Sequence, residues 1–208
     1  MKTTFAALGL VLALPGCAAL SALQGEPARD VFELRAPVDT PRQCGQGRRG
    51  EVVVEVPKAG GVLDTDRIMI RPNALQVQYL PDARWSDSAP VMLQTLLVRS
   101  LGAYDVFTHV GREPLGLSGD YAMLTEISDF NAVTGEDGTR IVMRVNAQIV
   151  NEMDARIIAR RQFAVSAPAA GTATAQLIPA FDAAALSLVG QMNAWAIGAV
   201  GGNAANCR

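Results

Sequence analysis

The sequence is short of the residues that do chemistry. Its 208 residues include one histidine and three scattered cysteines, little material for a metal site. One histidine builds a triad only with a matching nucleophile and orienter. No Gly-x-Ser-x-Gly, His-Glu-x-x-His or P-loop is present to supply a catalytic frame. Carboxylate pairs drawn from distant segments are not visible in a sequence. Basic excess is lacking too: 18 Lys and Arg stand against 20 Asp and Glu, which argues against nucleic-acid binding. No apolar run reaches the roughly 18–20 residues that span a bilayer, so no permanent transmembrane helix is expected. What is there is a chain 50% hydrophobic and 18% charged, which excludes general disorder. Its length suits one ordinary domain with its own core.

The first twenty residues carry the clearest signal. Lys2 supplies a positive charge, residues 5–14 are an apolar run of ten, and Pro15-Gly16-Cys17 follows. That is the layout of a secretory signal peptide, residues 1–16, which is expected to be cleaved from the mature chain. Leu14-Pro15-Gly16-Cys17 resembles the bacterial lipobox, with Pro15 a departure from the usual Ala or Ser. The resemblance implies acylation of Cys17, which becomes the mature N-terminus, and Ala18 after it implies sorting to the outer membrane. Two or more acyl chains anchor stably, each buried CH₂ contributing about 0.8 kcal/mol. Loss of Lys2 leaves 17 basic against 20 acidic side chains in the mature chain, so no net positive charge reinforces the anchor.

Cys44 and Cys207 remain after processing. In an oxidising periplasm an even pair is a disulfide candidate, the alternative being two separate thiols. Neither has a histidine nearby in sequence, which speaks against a catalytic thiol.

Residues 17–30 read as a lipidated tether, small and polar with Gly and Pro, ahead of one domain over 31–208. A first strand is expected at 31–34, then a loop over 35–50 whose Gly45-Gln46-Gly47 is too short for a dinucleotide fingerprint. Strands follow at 51–56, 67–70 and 75–79, with breaks at Pro57, Pro72-Asn73 and Pro81-Asp82. Asp64 and Asp66 read as flanking a turn. Leu93, Leu96, Leu97 and Leu101 fall on one stripe of a helix over 90–101, with Ser88 as N-cap and Gly102 as its end. A short strand at 106–110 holds His109, which reads as structural. Residues 121–133, 140–151 and 157–167 form an antiparallel meander whose middle strand buries one face and leaves Arg144, Asn146 and Gln148 on the other. Arg160 and Arg161 are expected on an exposed edge. After Pro168 and a linker, residues 175–200 form a long helix with a seam of Leu177, Phe181, Leu188, Met192 and Trp195, ended by Gly201-Gly202.

The segment Tyr79-Leu80-Pro81-Asp82-Ala83-Arg84-Trp85, followed by the Leu-rich helix, resembles the ABC-type transport auxiliary lipoprotein family. These are the PqiC-like lipoproteins encoded beside MCE-domain lipid transporters. The order of lipobox, strands, Arg-Trp helix, antiparallel strands and C-terminal helix agrees, although only the Arg-Trp helix is specific. The resemblance implies an α/β fold: one domain with a mixed, largely antiparallel sheet packed by two main helices, similar to the TolB N-terminal domain. Physically, Trp85 would anchor the helix entry against the sheet, and Arg84 would pair with a carboxylate or cap carbonyls.

The implied function is that of a non-enzymatic accessory component without a cofactor. Anchored in the outer membrane, it would dock the periplasmic MCE assembly of a lipid ABC transporter, and assembly into a homo-oligomer would suit such a platform. The competing expectation is an envelope lipoprotein that scaffolds or activates another machine, such as a peptidoglycan synthase or secretion channel.

Overall fold

The computed structural model describes residues 29–38, 40–45, 47–116 and 119–208. The signal peptide, Cys17 and the expected tether up to residue 28 lie outside them. Three long strands form the spine: β7 (Tyr121–Gly135), β8 (Gly138–Asn151) and β9 (Arg156–Ala169). They pair antiparallel as the meander read from the pattern, each strand longer than expected. Glu136-Asp137 make a two-residue turn between Gly135 and Gly138, and Gly138 has φ +99°, a backbone region that favours glycine.

The other edge of β7 is shared in turn by three shorter strands, all parallel to it. β2 (Glu51–Val54) pairs with its start, β3 (Lys58–Ala59) with its middle and β4 (Arg67–Asn73) with its end. Beyond β2 lies β6 (His109–Gly111), and beyond β4 lie β5 (Gln76–Trp85) and then β1 (Asp30–Phe32). Among the described residues the sheet is thus nine-stranded and mixed, a spine with two arms. Helix α1 (Ala89–Gly102) packs on β2 and β6, α2 (Thr174–Ala199) on β8 and β9, and the helices touch each other.

Several expectations need correction. The chain does not turn at Pro81-Asp82, because β5 runs on to Trp85. The pairing passes from Met69 opposite Tyr79 to Arg67 opposite Arg84, so residues 80–83 stand against Ile68 alone. Pro81 sits in that bulge, where its missing N–H breaks no ladder bond. For the same reason β4 carries Pro72 through a second register shift, whereas Pro168 stands in regular register opposite Arg140 near the end of β9, the outermost strand. β1 ends at Phe32, with Leu34 buried beyond it. The strand expected at 51–56 ends at Val54 as β2, and the short β3 follows only beyond Pro57. Val106 and Phe107 are buried yet precede the strand β6.

One face of the spine makes the core. Ile141, Met143, Val145, Ala147 and Ile149 of β8 are buried, as the alternation required, against Phe163 and Val165 of β9 and the α2 seam Leu177, Phe181, Leu188 and Met192. Trp195, placed in that seam, is only half-buried and meets Phe163 edge-on at 5.5 Å. The opposite face, with Leu124, Glu126, Arg144 and Gln162, is open to solvent.

Candidate functional site

The Tyr79–Trp85 segment sits where β5 hands the chain to α1, and each of its marked side chains is occupied within the fold. Trp85 is buried, meeting Phe181 edge-on at 5.1 Å and Phe130 at 6.1 Å. Its backbone N–H donates to the Asp66 carbonyl at 2.7 Å, and the Ala89 backbone N–H to the Thr65 carbonyl at 3.2 Å. The start of α1 is therefore stitched to the 60–66 turn. Ser88 occupies the N-cap without a side-chain capping bond, so these backbone bonds take part of that work. Arg84 reaches the Asp66 carboxylate at 3.3 Å and the Trp85 carbonyl at 3.4 Å. The Tyr79 hydroxyl donates to the Val62 carbonyl at 3.0 Å, and the Arg67 guanidinium lies 4.0 Å over its ring. Asp66 is thus the partner of Arg84, while Asp64 stays exposed on the turn.

A second set of contacts lay hidden from the sequence. Gln94 is buried on α1, donates to the Val54 carbonyl of β2 at 2.8 Å and accepts from Arg112 Nε at 3.1 Å. Asn193 of α2 and Ser100 of α1, both fully buried, join the helices through the donated Asn193 amide. A polar residue inside a leucine stripe was the available signal, and the partners lie 18 to 93 positions away. Arg35, beyond β1, holds Asp182 of α2 through its backbone N–H at 3.0 Å and through its guanidinium. That hydrogen bond first, and the Asp182 charge second, raise the Arg35 pKa above its ordinary value.

Cys44 and Cys207 are joined by a disulfide, flanked by paired backbone bonds between Gln43 and Arg208, both 3.0 Å. Asp105 accepts from the Cys44 N–H at 2.6 Å, so the C-terminus and the 35–50 loop are tied at one place. His109 is half-buried in β6. Arg160 and Arg161 are exposed on β9, the last strand of its side of the sheet.

Among the described residues no group of three or more His, Cys, Asp or Glu is placed to hold a metal ion. One depression on the open face, about 370 Å³, is a shallow trough between β3, β7 and β8 lined by Val56, Lys58, Leu124, Glu126, Asn146 and Gln148. With Glu55, which also lines it, the trough brings one cation, two carboxylates and two amides beside apolar surface, a composition suited to contact with another molecule.

The fold defines a class: single-domain α/β proteins in which a mixed sheet carries two helices on one face and presents the other bare. The chain belongs to the ABC-type transport auxiliary lipoprotein component family, whose family model matches residues 32–193. Its fold is similar to that of protein XCC0632 from Xanthomonas campestris, with a TM-score of 0.68 at 23% identity over 81% of this chain and 95% of that one. A second solved structure, an uncharacterized protein, gives a TM-score of 0.61 at 12% identity, over 79% and 96% of the two chains. In sequence the chain is 27% identical over 184 residues to the uncharacterized protein bll6063 of Bradyrhizobium diazoefficiens. The match takes in 85% of this chain and only 47% of that relative, so the chain spans about half the relative's length.

Proposed function

We propose that this protein is an outer-membrane-anchored periplasmic lipoprotein that docks the MCE assembly of a lipid ABC transporter. The observation that carries the reading is the family match over 32–193, in a chain whose residues 14–17 resemble a lipobox. Ala18 after Cys17 supports the outer rather than the inner membrane. In this reading the family's Arg-Trp pair is structural, because Arg84 is engaged by Asp66 and Trp85 by the aromatic core. The described helices include none long and apolar enough to cross a membrane, so in this reading attachment falls to the acylated Cys17.

Crosslinking in intact cells, followed by purification of the tagged lipoprotein from membranes, tests the proposal. Enrichment of an MCE-domain protein is the expected result. Recovery of a peptidoglycan synthase or a secretion channel with no MCE protein would transfer the docking role to that machine.

A further inference from the structure

β9 is fourteen residues long and pairs with β8 along one edge only. Among the described residues no strand lies against its other edge, and from residue 157 onward no backbone bond outside the sheet satisfies that edge. A long row of free N–H and C=O groups is a template for one more strand.

Its side chains select the strand it would accept. Arg156, Arg160 and Arg161 lie on β9, which has no acidic residue. Arg156 is paired with Asp154 at 3.5 Å, and Arg161 lies 4.9 Å over the Phe163 ring. Arg160 and Arg161 have no ion-pair partner among the described residues and are both exposed. They are adjacent in a strand, so they point to opposite faces and flank the free edge from both sides. A second copy of β9 laid in register on this pair would gather four guanidiniums, and like charges directly opposite are destabilising. The same charges favour an incoming strand that carries carboxylates at the matching positions.

We infer that the free edge of β9 is a protein-docking site that takes an extended acidic segment of a partner as an added strand, paired through backbone bonds and held in register by Arg160 and Arg161. The inference rests on the accessory reading in requiring a protein partner, but it does not require that partner to be an MCE protein.

The test uses the purified full-length protein in detergent and three fluorescent ten-residue peptides. The first alternates Thr and Val around a central Glu-Glu pair, the second replaces that pair with Lys-Lys, and the third is the first with alternate backbone nitrogens methylated. The expected result is binding of the Glu-Glu peptide at least tenfold tighter than either of the others. Amide-exchange protection should appear within residues 157–169, and binding should weaken at least tenfold in the double variant Arg160→Glu/Arg161→Glu. Both substitutions are on exposed side chains, and an unchanged melting curve checks that the fold survives. Equal affinity for Glu-Glu and Lys-Lys peptides, binding that survives methylation or charge reversal, or no binding overturns the inference. No transporter protein enters this assay, so its failure leaves the co-purification result standing, and the reverse also holds.

Discussion

At the residue scale, Arg84 and Trp85 are neighbours in one motif with very different weight in the fold. Trp85 is 1% exposed and packs against both Phe130 and Phe181, which also touch each other. Truncation of such a side chain leaves a cavity, so Trp85→Ala should cost about 3–5 kcal/mol in denaturant unfolding. The Arg84–Asp66 pair is about two-fifths exposed on both sides and meets at 3.3 Å. Arg84→Ala should therefore cost less than about 1 kcal/mol in the same measurement. A larger loss at Arg84 than at Trp85 would reverse their assignment. Arg35 adds a statement about pH. Its pKa is raised in the folded state, so the stability it contributes is present below the unfolded value and is lost only as pH rises through the folded one. Both lie far above neutrality, so a chemical-denaturation series of Arg35→Ala against the parent should show the same difference at pH 6 and pH 8.

At the element scale, two devices hold the helices and the chain end in place. Gln94 links α1 to β2 and to Arg112 from inside the protein. Gln94→Ala leaves the Val54 carbonyl without its donor, and the expected loss is about 1–3 kcal/mol by thermal or denaturant unfolding. The disulfide closes a loop of 163 residues between Cys44 and Cys207. Chain-entropy reasoning puts the benefit of so long a loop near 5 kcal/mol, and removal of native bridges costs about 2–5 kcal/mol in small secreted domains. Reductant should lower the melting temperature of the parent protein, and it should not change that of the Cys44→Ser/Cys207→Ser variant. A parent whose melting is indifferent to reductant would remove the bridge from the stability of the fold.

At the scale of the whole molecule, attachment and folding are separable in the proposed reading. The described residues form a single core from the sheet and both helices, and Cys17, the proposed acylation site, is not among the described residues. Cys17→Ala should move the protein from the salt-washed membrane fraction to the soluble periplasmic fraction with an unchanged melting curve. Retention on salt-washed membranes would show that some other feature anchors the chain.

The legible parts of this protein were those in which neighbours in sequence are neighbours in space. The meander from Tyr121 to Ala169, with its buried β8 face, follows from strict alternation over long strands joined by short turns. Helix α1 follows from its leucine stripe, and its Arg-Trp entry was recognisable because it is local. The two arms of the sheet were not legible. β2, β3 and β4 lie parallel to β7 at different positions along it, and parallel pairing joins segments far apart in sequence that leave no periodic trace. The breaks expected at Pro72 and Pro81 became bulges because the partner strand supplied a place for a residue without an N–H. For the candidate site the division is similar. A resemblance to a lipobox at residues 14–17, a scarcity of catalytic side chains and the exposure of Arg160 and Arg161 could be read from the chain alone. Tertiary contacts were needed to see that Arg84 is engaged by Asp66, that Gln94 ties α1 to β2 and Asn193 ties α2 to α1, and that β9 has a free edge among the described residues. Each of these depends on which distant segment comes to lie alongside, and that is settled by burial of the whole core rather than by any local pattern.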